Sequence, residues 1–111
     1  MNAAPVFTAL ADPMRRQLLT NLAQHSPRTA TQLATQYTTI TRQGILKHLR
    51  VLENAGLVAV RQQGREKRYS LTPEPLAEVN RWTQALNTLW DKRLNRLKTR
   101  LENEAEASSG A

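Results

Sequence analysis

TRQGILKHLRVLENAG, residues 41–56, has the spacing of a helix with two unlike faces. At about 100° per residue, Ile45, Leu49 and Leu52 share one side. Gln43, Lys47, Arg50 and Asn54 fall roughly opposite, with Arg42 and Leu46 on the near flank. The Thr41 hydroxyl suits the N-cap, and Gly56 supplies the left-handed residue that stops the helix. An Arg, Gln and Lys face at the N-terminal end suits the reading of DNA bases. A charged face is ordinarily just solvated, so the flanking sequence has to decide.

Upstream, Thr29-Ala30-Thr31-Gln32 fits a capping box, with Thr at the cap and Gln three residues on. It opens a short helix whose apolar contacts are Leu33, Ala34 and Tyr37, and Thr38-Thr39-Ile40 joins it to the helix at Thr41. Two helices linked by so short a turn, the second basic outside, make a helix-turn-helix. Before them, Val6, Phe7 and Leu10 have helical spacing, and Asp12-Pro13 starts a fresh helix, Asp capping and Pro at its first position. Met14, Leu18, Leu19 and Leu22 form its inner stripe, while Arg15, Arg16 and Gln17 are expected outside. His25-Ser26-Pro27 ends it, with His25 a solvated loop residue.

After Gly56 the period changes to two. Leu57 to Arg61 and Lys67 to Leu71 read as strands, and Gln62 to Glu66 joins them with Gly64 at the tip. Val58, Val60, Tyr69 and Leu71 would line the apolar side of this hairpin. Arg61, Arg65, Lys67 and Arg68 place it to act on a phosphate backbone beside the reading helix. Thr72-Pro73-Glu74-Pro75 opens the last helix, where Leu76, Val79, Trp82, Leu86, Leu89, Trp90, Leu94, Leu97 and Leu101 step by threes and fours. That seam is longer than so small a core needs, which points to a partner helix. Ala105 onward reads as a flexible tail.

Composition narrows the function classes. The chain has 111 residues, enough for one small domain, with 16 Lys+Arg against 9 Asp+Glu and a net charge of +7. Such a balance favours a polyanion, nucleic acid before a membrane surface. The absence of cysteine excludes disulfides, thiolate metal sites and Cys nucleophiles. No signal-peptide pattern or membrane-spanning run is present, so a cytoplasmic protein is expected. No Gly-rich phosphate loop, nucleophile with a base or paired carboxylates can be found, which argues against an enzyme.

Several strings in order resemble the ArsR family of bacterial winged-helix repressors: ALADPMRRQLLTNLA (9–23), TATQLATQY (29–37), TRQGILKHLRVLENAGLV (41–58) and GREKRYSL (64–71). The resemblance implies a mainly α fold with a small β-hairpin, a winged helix-turn-helix with a helical dimerisation element at both ends of the chain. Residues 1–104 would form the domain, 6–72 being head and wing and 73–104 the dimerisation helix, with 105–111 the tail. Metal-sensing members carry a Cys-x-Cys pair or carboxylate and His ligands in the last helix. This chain has no Cys, and His25 and His48 are its two imidazoles, so it resembles the metal-independent branch, with no metal and no cofactor; the sequence assigns no small-molecule effector.

The resemblance further implies a homodimeric repressor on double-stranded DNA, recognition helix 41–55 in the major groove. Arg42 would contact guanine and Gln43 adenine. Leu46 would meet a thymine methyl or pack under the hairpin, and Lys47 would bind phosphate or guanine. His48 would be packed or touch phosphate, and Thr41 and Arg50 complete that face. Thr29 and Thr31 would meet phosphate at the preceding helix, and Arg61, Arg65, Lys67 and Arg68 would extend the contact from the wing to the flanking backbone or minor groove. Val6, Phe7, Leu10, Leu86, Leu89, Trp90, Leu94 and Leu97 would form the dimer contact, giving an inverted-repeat operator with half-sites about 10–10.5 bp apart or a multiple of that. The alternative is a protein-interaction or non-specific nucleic-acid module on the same fold.

Overall fold

The computed structural model describes residues 3–109. Met1, Asn2, Gly110 and Ala111 lie outside the described residues, and with them the start of the expected domain and the end of the expected tail. The elements run α1 (Ala4–Leu10), α2 (Pro13–Gln24), β1 (Arg28–Thr29), α3 (Ala30–Ala34), α4 (Arg42–Asn54), β2 (Val58–Gln63), β3 (Glu66–Leu71) and α5 (Glu74–Ser109). Two compact units divide after Glu78. The first is a mainly helical winged helix-turn-helix head; the second is the remainder of α5.

Local chemistry sets most boundaries. Asp12 Oδ1 accepts from the N–H groups of Met14 (2.8 Å) and Arg15 (3.2 Å), capping α2 behind Pro13. Thr29 and Gln32 form the reciprocal capping box of α3. Thr41 Oγ1 accepts from the Gly44 N–H at 3.1 Å to start α4. That helix ends as the sequence implies: Gly56 takes φ +77°, and its N–H and that of Leu57 bond back to the Glu53 and Leu52 carbonyls at 2.9 and 3.0 Å. These are the paired bonds of a Schellman stop.

The core of the first unit gathers on α4. Ile45, Leu49 and Leu52 are fully buried there, with Leu18 and Leu22 of α2, Leu33 of α3 and Leu57 beside β2. The helix packs on α1, α2, α3 and β2. The turn of the helix-turn-helix is fastened to α2 by polar contacts. The buried Asn21 amide donates to Gln36 Oε1 at 2.8 Å, and the Tyr37 hydroxyl donates to the Gln17 carbonyl at 3.3 Å.

The sheet holds three antiparallel strands in the order β1-β3-β2, where the sequence reading has a two-stranded hairpin. A two-residue strand carries no periodicity that a reading of sequence can detect. The hairpin loop is also shorter than expected: Gln63 pairs with Glu66, leaving Gly64 and Arg65 as the turn. Positive φ falls on Gly64 (+63°) and not on Arg65, the pattern of a type II′ turn. Val58 pairs with Leu71 and Val60 with Tyr69, so the expected apolar side forms one face.

Two further expectations are corrected. Arg15 turns inward, its side chain 16% exposed, because it donates to α1 carbonyls. Residues 105–109 are helical, continuing α5 to Ser109 where a tail is expected. Ala105, Glu106 and Ala107 are strong helix formers, and no glycine or proline interrupts the helix there.

Candidate nucleic-acid interface

The N-terminal turns of α4 present Arg42, Gln43, Lys47 and Arg50 as exposed side chains, opposite the buried Ile45, Leu49 and Leu52. Thr41 is spent on capping. Arg42 projects beside α3, its Nε donating to Thr31 Oγ1 at 3.2 Å. That bond uses Nε alone, and the guanidinium carries two terminal nitrogens besides, the kind of pair a bidentate contact needs.

Two open clefts separate α4 from the hairpin. The larger, 440 Å³, lies between Thr31, Arg42, Leu46 and the hairpin residues Gln62, Arg65 and Lys67. The smaller, 380 Å³, lies between Gln43, Lys47, Arg50, Glu53 and Lys67. Leu46, Lys67 and Tyr69 line both. Leu46 is half-buried at the foot of the hairpin while still bordering each cleft. Burial pushes the Tyr69 hydroxyl above its ordinary value, with Glu53 adding to the shift and Arg42 and Arg50 opposing it. The phenol is therefore a neutral group framed by cations.

Strand register sorts the basic residues of the hairpin, because side chains alternate between faces. Gln62 and Lys67 pair on the face carrying Val60 and Tyr69, toward α4. Arg61 and Arg68 pair on the outer face. There Arg68 approaches Glu66 at 3.9 Å, while its Nε is buried without a hydrogen-bond partner. Arg65 stands in the turn, exposed. The four cations therefore do not act as one patch: Lys67 and Arg65 border the larger cleft beside α4, and the other two face away.

Other expected site residues are placed differently. Thr29 borders the larger cleft but is only 7% exposed, its hydroxyl accepting from the Gln32 N–H at 3.1 Å inside the capping box. His48 lies on the opposite flank of α4, its Nδ1 3.4 Å from Arg15 Nη1. Val6 is buried in the core of the first unit, leaving exposed Phe7 and half-buried Leu10 as the outer apolar residues of α1. A short N-terminal helix must commit some of its apolar residues, here Val6 and Ala9, to its own core. Gln62 and Tyr69, by contrast, belong to the clefts and were not expected there. A two-residue reading of the Gly64-Arg65 turn would have found them, since that sets Gln62 opposite Lys67.

In the second unit, Trp82, Leu86, Leu89, Trp90, Leu94, Leu97 and Leu101 are all exposed along α5. The Arg93 guanidinium sits 5.8 Å from the centre of the Trp90 ring. Among the described residues, no group of three or more His, Cys, Asp or Glu side chains is placed to hold a metal ion. No described helix is long and apolar enough to cross a membrane.

A half-exposed polar helix, a preceding helix bracing its first arginine, and a basic hairpin alongside define a DNA-binding winged helix-turn-helix. Comparison with known proteins agrees. Residues 10–61 match the helix-turn-helix domain family. The chain is 39% identical over 83 residues to the HTH-type transcriptional regulator YuzN of Bacillus subtilis (strain 168), covering 70% of this chain and 90% of that one. An ArsR-like transcriptional regulator from Rhodococcus sp. RHA1 superposes with a TM-score of 0.77 at 37% identity, covering 90% of each chain. The homodimeric winged helix-turn-helix DNA-binding domain of Mb0332 from Mycobacterium bovis, a possible ArsR-family regulator, gives 0.60 at 30% identity, with 77% of each chain covered. The chain belongs to the ArsR family of helix-turn-helix transcriptional regulators.

Proposed function

We propose that the protein is a repressor that binds an inverted-repeat operator as a homodimer, with α4 of each subunit in the major groove and the hairpin on the flanking backbone. The observation that carries this reading is the placement of Arg42, Gln43, Lys47 and Arg50 on one exposed face of α4, across open clefts from Lys67. Arg42 and Gln43 stand at the start of the helix, where side chains reach base edges. Lys47, Arg50, Lys67 and Arg65 supply phosphate contacts that give affinity and register.

The exposed tryptophans and leucines of α5 support self-association, since seven large apolar side chains on one helix need a covering surface. The homodimeric state of the Mycobacterium bovis domain points the same way. Phe7 and Leu10 of α1 with Leu86, Leu89, Trp90, Leu94 and Leu97 make up the proposed contact.

Footprinting of the purified protein on the DNA upstream of its own gene tests the reading. Protection of an inverted repeat with half-sites about one helical turn apart, or a multiple of it, is expected. Equal affinity for that duplex and a random one across a salt titration would refute sequence-specific repression.

A further inference from the structure

We propose that His48 is a positioning residue for DNA binding: its neutral imidazole, accepting a hydrogen bond from Arg15, ties the recognition helix to α1, and protonation releases the tie. The proposal rests on α4 being the helix that contacts DNA.

Arg15 joins three elements through one guanidinium. From α2 its Nε donates to the Ala9 carbonyl at 2.7 Å and its Nη2 to the Thr8 carbonyl at 3.1 Å, so the end of α1 is capped by a cation. Its Nη1 lies 3.4 Å from His48 Nδ1 on α4. The junction is shielded, with the Arg15 side chain 16% exposed and His48 half-buried. Arg16 reinforces the same helix end, donating to the Leu10 carbonyl at 2.8 Å.

A guanidinium has donors and no acceptor, so His48 Nδ1 must accept, which requires the imidazole to be neutral with its proton on Nε2. Protonation would set two cations against each other at hydrogen-bond distance. The Asp12 carboxylate is what opposes this, and it interacts with both His48 and Arg15. α1 and α3 carry no ionisable side chain between residues 4–10 and 30–34. Arg61, the ionisable residue of β2, faces outward. On α4 itself, Lys47 and Arg50 project to the clefts. The carboxylate present is Asp12, 4.0 Å from Arg15, with Oδ1 already held by two backbone N–H groups. One partly committed carboxylate would then face two cations.

The tie matters because α1 also carries Phe7 and Leu10 of the proposed dimer contact, so it links that contact to the reading helix. His48 adjoins Lys47 in sequence, and movement of α4 at this point displaces Gln43 and Lys47 as well. The sign of the effect is diagnostic. A histidine that merely touched phosphate would strengthen binding on protonation; a released tie weakens it.

The test is affinity for the upstream duplex protected in footprinting, at constant ionic strength, from about pH 8 to about pH 5, where imidazole changes charge. Wild type, His48→Asn and His25→Asn are compared, asparagine keeping an acceptor near the Nδ1 position. Acidification is expected to weaken wild type and His25→Asn by about threefold more than His48→Asn. Tighter binding on acidification, or the same pH slope in all three proteins, overturns the proposal. The thermal midpoint of the free protein supplies an independent reading, expected to fall faster with acid in wild type than in His48→Asn. If no duplex is protected, the operator reading has failed, and an equal pH response of the midpoints would overturn the tie by itself. Should His48→Asn fail to fold, imidazole nitrogen chemical shifts of wild type decide: a bare Nδ1 supports the tie and a protonated Nδ1 at neutral pH overturns it.

Discussion

Thr31 holds Arg42: the hydroxyl at the start of α3 accepts from the guanidinium Nε at the start of α4, 3.2 Å away. The first residue of α4 is thereby braced by the helix before it. An exposed arginine otherwise samples many rotamers, and losing that freedom on binding costs affinity. Under the proposed function, bracing removes part of that cost before DNA arrives.

Removing either partner should therefore have a different signature. Arg42→Ala is expected to lose about 1–3 kcal/mol at one base position in each half-site, with other positions unchanged. Thr31→Val keeps the guanidinium but frees it, so a smaller loss confined to that position is expected. Binding selection from a randomised half-site checks both. An unchanged preference in Arg42→Ala would remove it from the reading set.

Arg65 stands in the two-residue turn, free of the register that turns Arg61 and Arg68 outward. Arg65→Ala should weaken binding to every duplex alike and lower the slope of log affinity against log salt by about one unit. The slope should change less in Arg61→Ala, because that side chain lies on the face away from α4. A salt titration of the three proteins settles the order.

Asp12 makes stability depend on acid. The Arg15 backbone N–H, then that of Met14, hold its carboxyl below the ordinary value against a raising effect of desolvation, with His48 and the Arg15 guanidinium adding to the lowering. A carboxyl with a lower value folded than unfolded stabilises the fold above the unfolded value and stops doing so as pH falls through the folded one. Urea denaturation of wild type and Asp12→Ala should accordingly show a gap at neutral pH that narrows as acid is added through the carboxylate range. A gap independent of pH would assign the stabilisation to something other than ionised Asp12.

Leu94 and Leu97 lie exposed near the middle of the apolar seam of α5. Replacing both with Glu puts charge where a partner helix would have to bury it. Wild type is expected to sediment as a dimer at micromolar concentration and the double variant as a monomer. Circular dichroism should show the helix-turn-helix head still folded, since its core residues lie in the first unit. A monomeric wild type would exclude the homodimer.

What could be read in the sequence was local. Asp12, Thr29 and Thr41 cap helices through bonds spanning two or three residues, and Gly56 stops α4 through its own backbone preference, so each signal lies beside its effect. The inner stripe of α4 was legible for the same reason, because Ile45, Leu49 and Leu52 recur at the helical period. The paired apolar residues Val58, Val60, Tyr69 and Leu71 followed from a period of two.

Tertiary structure decided what depends on partners far along the chain. The β1 strand exists because Arg28 and Thr29 find Tyr69 and Arg68, some forty residues later. Arg15 turns inward because α1 ends beside it and offers the Thr8 and Ala9 carbonyls, and His48 lies beside that guanidinium rather than along the clefts. Val6 is spent on the core, and Gln62 joins Lys67 beside the clefts, for the same kind of reason. Periodicity reports which way a side chain points along its own helix or strand; what it meets there is determined only when the elements pack.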